Sequence, residues 1–169
     1  MADIVPPDLY YRDFCEWALD QAQAIRDLRE IALRSNEVAA AVHRLDWDNL
    51  IEEIEDLAGR HRSELRNRIG TVVEHLLKLE RGVADGPRQG WEETVARSRI
   101  EISRLLDDSP SLRRLVPDIL RDGDLVKISA LVLDGLIKRG EAPLGATAPT
   151  YTEHQVLDDW WPDRKGTAS

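Results

Sequence analysis

Apolar residues recur along the chain at the three- and four-residue spacing of a helix face. β-branched alternating runs, which are typical of strands, are absent. The first helix is predicted to start near Asp8, and Ser35-Asn36 is a point at which it can break, with Asn36 as the cap of a second segment. The residues of its apolar stripe are Phe14, Ala18, Ile25, Leu28, Ala32, Ala39 and Val42.

A long second helix is predicted to end at about Arg81. It starts among Asp46, Asp48 and Asn49, which are all good N-caps, and Asn49 with Glu52 has capping-box spacing. Its apolar positions form two rows, so the helix packs against more than one neighbour and is predicted to be the central pillar. The first row is Leu50, Ile54, Leu57, His61, Leu65, Ile69, Val72, Leu76 and Leu79, and the second is Ile51, Ala58, Val73 and Leu77.

A linker is predicted at residues 82–90, which hold three glycines and Pro87. A third helix should follow over about residues 91–107. Its inward positions are Trp91, Val95, Ile102 and Leu105.

Ser109-Pro110 indicates that the third helix ends and a new helix begins, because Ser109 fits an N-cap and Pro110 fits the first helical position. A fourth helix is predicted to run from there to about Arg139. Pro117 and Gly123 weaken it, and Pro117 falls either in its first two turns or at a break.

The end of the chain is predicted to be a loop at residues 140–149, followed by a short helix that Thr152 caps and that ends at about Asp159. Trp160-Trp161-Pro162 then ends the fold. Two tryptophans carry too much apolar surface to stay in water, so this tail should dock on the helices, and residues 163–169 are predicted to be loose.

Several blocks along the chain also occur together in a known family. The most specific is Leu-Asp-Trp-Asp-Asn-Leu-Ile-Glu-Glu-Ile-Glu at residues 45–55. The others are residues 11–18, 75–79, 106–112 and 152–162. In this order the chain resembles domain-of-unknown-function family 29, a bacterial family abundant in cyanobacteria, over about residues 10–162.

The resemblance implies a compact helical fold and no assigned activity. This chain departs from the family pattern in two places. The stretch between Trp17 and Leu45 is longer, by about two helical turns. The fourth helix also contains Pro117 and Gly123, where the sequences of other family members have the pattern of an uninterrupted helix.

Composition is typical of a globular protein, with 169 residues, 42% hydrophobic and 33% charged. A single domain over residues 1–169, with an ordered core at 8–162, is therefore expected. Cys15 is the only cysteine, which excludes an internal disulfide and a cysteine-based zinc site and favours a cytoplasmic location. No secretory signal or membrane span is predicted. The net charge of −9 disfavours nucleic-acid binding.

The second helix carries the most suggestive chemistry. Glu53, His61, Glu64 and His75 project from one side of it, within an arc of about 80°. Carboxylate and imidazole suit zinc, iron or manganese. The alternative is that the histidines are hydrogen-bonded structural residues. The di-iron Glu-x-x-His motif is absent, and the four groups span about six turns, too far apart for one ion.

The start of the second helix is also acidic. Its carboxylates are Glu52, Glu53, Glu55 and Asp56. It is interpreted as a favourable interaction with the helix dipole, with an acid/base pair or a cation site as the alternative. Cys15 lacks a nearby catalytic partner, since His43 is far along the same helix, and is predicted to be a small buried apolar residue.

The sequence thus predicts an all-α protein: a bundle of four principal helices, two of them long, with a short C-terminal helix docked by the Trp-Trp-Pro tail. Its function remains unknown. A soluble interaction protein is favoured, pairing with a helical protein partner or with itself through the extended first helix, without cofactor, nucleic acid or membrane. The alternative is a small metal-dependent enzyme that uses the carboxylates and histidines of the second helix.

Overall fold

The computed structural model describes residues 8–34, 45–82 and 87–163. These parts of the chain contain seven α-helices, one 3-10 helix and no β-strand, which confirms the all-α prediction. The α-helices are α1 (Leu9–Arg12), α2 (Phe14–Leu33), α3 (Trp47–Arg81), α4 (Arg88–Asp108), α5 (Val116–Leu120), α6 (Gly123–Lys138) and α7 (Glu153–Leu157), and the 3-10 helix is Pro110–Leu115. Helices α2, α3, α4 and α6 are the four principal ones. No helix of the described residues is long and apolar enough to cross a membrane.

The chain divides into two compact units. The N-terminal unit comprises Met1–Glu64 and Leu105–Leu112, and the C-terminal unit comprises Leu65–Arg104 and Arg113–Ser169. Helices α3 and α4 each contribute residues to both units.

In the N-terminal unit, α2 runs antiparallel to the first part of α3. Arg26 forms an ion pair with Glu55, and Arg29, further along α2, forms one with Asp48, which lies earlier in α3, at 2.9 Å. The reversed order of these partners fixes the antiparallel direction. Small side chains let the helices approach closely. The buried residues of α2 are Cys15, Ala18, Ala22 and Ala32.

Asp13 interrupts the predicted first helix soon after its start. Its backbone is extended (φ −157°, ψ 95°), and its Oδ1 accepts a hydrogen bond from the Glu16 N–H at 2.9 Å. The same carboxylate accepts from the Ser111 N–H and, at 2.9 Å, from the Ser111 hydroxyl. Asp13 is thus the N-cap of α2 and also holds the start of the 3-10 helix. The other predicted break, at Ser35-Asn36, lies outside the described residues.

Helix α3 ends at Arg81, as predicted, and supplies a larger share of the core of the C-terminal unit than any other helix of the described residues. Both predicted apolar rows are buried there. Its fully or almost fully buried residues in this unit are Leu65, Ile69, Val72, Val73, Leu76, Leu77 and Leu79. They share the core with Val95 and Ile102 of α4, and with Val116, Ile119, Leu125, Leu133, Leu136, Tyr151 and Val156.

The predicted fourth helix is in fact three elements, so an uninterrupted helix was wrong, whereas its predicted end near Arg139 was right, because α6 ends at Lys138. Pro117 lies at the start of α5, where its missing N–H costs no helical hydrogen bond. Asp122 then adopts extended backbone (φ −61°, ψ 131°) and its side chain accepts from the Asp124 N–H at 2.9 Å, which starts α6. The third helix begins at Arg88, so Gly90 is helical and not part of the linker.

The short C-terminal helix forms as predicted. Thr152 and Gln155 make a reciprocal capping box at its start. The loop before it contains Gly140 and Gly145 at φ +73° and +82°, a conformation that glycine adopts without strain. Pro162 in the tail is buried, while residues 164–169 lie outside the described range.

Candidate functional site

The four predicted metal-site residues lie in different environments and contact different side chains. Glu53 faces Arg60 at 3.8 Å, with both side chains exposed. His61 is half-buried, its ring centroid 5.0 Å from that of Phe14 and its Nδ1 3.4 Å from the Ser109 hydroxyl. Glu64 is exposed. These contacts give His61 a structural environment within the N-terminal unit.

His75 belongs to the C-terminal unit, whereas the other three belong to the N-terminal unit. Its Nδ1 lies 2.8 Å from the carbonyl oxygen of Thr71, one turn back in α3. A carbonyl can only accept, so Nδ1 carries the proton and donates it. Among the described residues, no group of three or more His, Cys, Asp or Glu side chains could hold a metal ion. The metal site therefore stays a hypothesis.

The acidic start of α3 is paired with arginine side chains. Glu55 and Asp48 bind arginines of α2, as described above, and so join the two helices. The cap itself is Asp46, whose Oδ1 accepts from the Asn49 N–H at 3.3 Å and whose Oδ2 accepts from the Asn49 side chain at 2.6 Å. The predicted Asn49–Glu52 capping box was wrong, because the helix begins two residues earlier, at Trp47.

Cys15 is a buried structural residue, with 2% of its surface exposed. Its Sγ lies 3.9 Å from the Ala58 carbonyl, and its N–H donates to the Ser109 hydroxyl at 3.3 Å. Burial raises the pKa of the Cys15 thiol, Ser109 lowers it, and the charge of Asp13 raises it. A protonated, enclosed thiol is a poor nucleophile. His43 lies outside the described residues.

The apolar end of the α2–α3 hairpin is the most distinctive surface of the N-terminal unit. We define the hairpin end as residues 28–33 and 45–50. Five of its large apolar side chains are exposed: Leu28 by 54%, Ile31 by 67%, Leu33 by 55%, Leu45 by 48% and Leu50 by 41%. The sequence pattern placed Leu28 and Leu50 on buried stripes, and both placements were wrong. Exposed apolar side chains in one region of a protein are a feature of interaction surfaces.

Charges of both signs surround the hairpin end. Glu30 and Arg34 form an exposed pair at 3.5 Å, and Arg29 faces Asp48 at 2.9 Å. The sequence did not predict that these charged residues lie near one another, because their proximity depends on the antiparallel pairing of α2 with α3.

Comparison with known proteins shows the family. Neither the curated proteins nor the solved structures gave a match. The family model described as "Domain of unknown function DUF29" matches residues 9–161, from the start of α1 to the docked tail. This result confirms the resemblance seen in the sequence. The chain therefore belongs to the DUF29 family.

Proposed function

We propose that the protein is a helical interaction protein that associates with a second copy of itself through the hairpin end. The observation that carries this proposal is the exposure of five large apolar side chains there. Leu28 and Ile31 lie one turn apart on the same face of α2, so a partner helix can cover both.

The charges of the hairpin end favour a second copy as the partner. The chain carries a net charge of −9, so two copies repel each other over most of their surface. At the hairpin end, however, Arg29 and the adjacent Arg34 nearly balance Glu30, Asp46 and Asp48. A two-fold interface presents the same patch twice, and a patch with both signs can pair Glu30 of one copy with Arg34 of the other.

The remaining parts of the proposal follow from charge and cysteine content. The acidic composition supports a protein partner over nucleic acid. A single cysteine, kept protonated and buried, supports a reducing location such as the cytoplasm.

Sedimentation velocity across a concentration series tests the association. We expect a concentration-dependent dimer in the wild type. In Leu28→Ser/Ile31→Ser the dimer should dissociate at least about tenfold more readily, because two apolar contacts are lost. The matched control is Val126→Ser/Leu131→Ser, which removes two side chains of α6 that are exposed by 60% and 71%. Its dimer should be unchanged.

Either of two results would overturn the proposal. A wild type that stays monomeric at every concentration would exclude self-association and leave a different helical protein as the partner to seek. Equal weakening by both double variants would show that association is not specific to the hairpin end.

A further inference from the structure

A cleft lies in the C-terminal unit between α3 and the first turns of α6. Its volume is about 320 Å³, at the lower end of the range for small-molecule sites. α5 closes it on one side through Ile119. Its lining residues include Gly70, Glu74, Ile119, Asp124, Leu125 and Ile128.

Gly70 leaves the floor of the cleft open. A Cβ atom built at this position would meet only Leu125 Cδ1, at 3.9 Å, which is ordinary contact. Packing therefore does not require a glycine here. Glycine inside a helix is less favourable than alanine, so the helix is weakened at the point where the cleft has its space.

The walls of the cleft combine apolar and acidic groups. Ile119, Leu125 and Ile128 supply the apolar part, and the acidic part comes from Glu74, Asp122 and Asp124 against the single cation Arg66. An apolar surface with a carboxylate rim matches a ligand that has an apolar body and a positive end.

The carboxylates already hold cations of the protein. Arg66 binds Asp122 at 2.8 Å, Lys78 binds Glu74 at 2.6 Å, and Lys127 binds Asp124 at 3.0 Å. The Lys127–Asp124 pair is largely exposed, and exposed ion pairs contribute little to stability. An incoming cation can therefore replace this lysine at small cost.

We infer that the cleft binds a small organic cation, a primary ammonium group on a short apolar chain. The chain would lie on Ile119, Leu125 and Ile128, and the ammonium group would meet the carboxylate rim. This site is separate from the hairpin end, and neither proposal depends on the other.

The test is a two-dimensional NMR titration of the whole chain with n-hexylammonium chloride, with sodium hexanoate as the matched anion. Two variants place the same side chain at different points of α3. Gly70→Leu fills the cleft. Gly59→Leu is the control, since a Cβ there meets nothing within 4 Å and Gly59 does not line the cleft. A third variant, Glu74→Gln/Asp124→Asn, removes two charges without adding volume.

We expect saturable shifts of residues 66–74 and 122–128 with hexylammonium and none with hexanoate. The dissociation constant should rise at least about tenfold in Gly70→Leu and stay unchanged in Gly59→Leu. It should rise about threefold or more in Glu74→Gln/Asp124→Asn. If Gly70→Leu does not fold, Glu74→Gln/Asp124→Asn tests the inference on its own. Shifts that do not saturate, equal binding of hexanoate, or unchanged affinity in Glu74→Gln/Asp124→Asn would overturn the inference.

Discussion

Arg99 shows how one side chain can hold a chain terminus in place. Its guanidinium donates to the carbonyl oxygens of Gln155, Val156 and Trp160, at 2.8, 3.1 and 2.7 Å. It also lies 4.8 Å from the centroid of the Trp161 ring. The last carbonyls of a helix lack partners within it, and the planar fork of an arginine can satisfy several at once. Burial lowers the pKa of Arg99, although Asp159 and Asp158 act to raise it.

Arg99→Lys should therefore destabilise the protein by about 1–3 kcal/mol, because one ammonium group cannot reproduce three divergent hydrogen bonds. Urea unfolding measures the loss, and quenching of tryptophan fluorescence reports the release of the tail. The control is Arg97→Lys, an exposed position on the same helix. If Arg99→Lys proves as stable as Arg97→Lys, the three hydrogen bonds do not hold the tail.

Tyr151 gives the stability a dependence on alkaline pH. Its side chain is buried, and its hydroxyl donates to Glu80 Oε2 at 2.9 Å. Burial raises the pKa of Tyr151, and the charge of Glu80 and the hydrogen bond raise it further. The unfolded chain loses this proton at about pH 10, whereas the folded chain keeps it. The contribution of neutral Tyr151 to the free energy of unfolding is therefore fully present below about pH 10 and is lost as the pH rises above that value.

Between about pH 9 and 10.5, the wild type should lose about 0.8 kcal/mol more stability than Tyr151→Phe. Urea titrations at both pH values measure this difference, and other titrating groups cancel because they are common to both proteins. Parallel losses in the two proteins would show that Tyr151 does not titrate differently on folding.

At the scale of elements, the sequence predicted the helix boundaries that depend on neighbouring residues and missed those that depend on tertiary contacts. The end of α3 at Arg81 and the Thr152 cap of α7 follow from spacing within a few residues of the chain. The interruption at Asp13 does not, because its carboxylate is bound by Ser111, 98 residues later. The break before α6 is similar, since Asp122 also pairs with Arg66 of α3 at 2.8 Å.

The candidate surfaces were predictable only in part for the same reason. Periodicity finds apolar stripes but does not say where a neighbouring helix stops covering them, so Leu28 and Leu50 were placed inside. Ser109 was interpreted as a helix cap, yet its hydroxyl lies against Cys15 and His61, which no local pattern indicates.

Asp13→Ala tests whether one residue organises two elements. It removes the N-cap of α2, and it leaves the half-buried Ser111 groups without their acceptor. We expect a loss of about 2–3 kcal/mol in urea unfolding. Thr152→Ala is the comparison, because it removes only the cap of α7 and should cost about 1 kcal/mol. Equal losses would mean that the Asp13–Ser111 contact adds nothing to the cap.

At the scale of the whole molecule, the question is whether the two units unfold together. We propose that they form one cooperative domain. The support is that α3 and α4 each run unbroken through residues of both units, so that unfolding one unit ends two helices in their interior. A new helix end leaves four backbone groups without partners, which favours unfolding in a single step.

Cys15 makes this proposal measurable, because it is buried in the N-terminal unit and is the only thiol in the chain. Pulse alkylation during urea unfolding reports when that unit opens. Arg99→Lys weakens contacts that lie wholly in the C-terminal unit. If unfolding is cooperative, this variant should nevertheless shift the midpoint of Cys15 alkylation by as much as it shifts the loss of helical circular dichroism. An alkylation midpoint that stays at its wild-type value would show that the N-terminal unit opens independently, and the chain would then count as two domains.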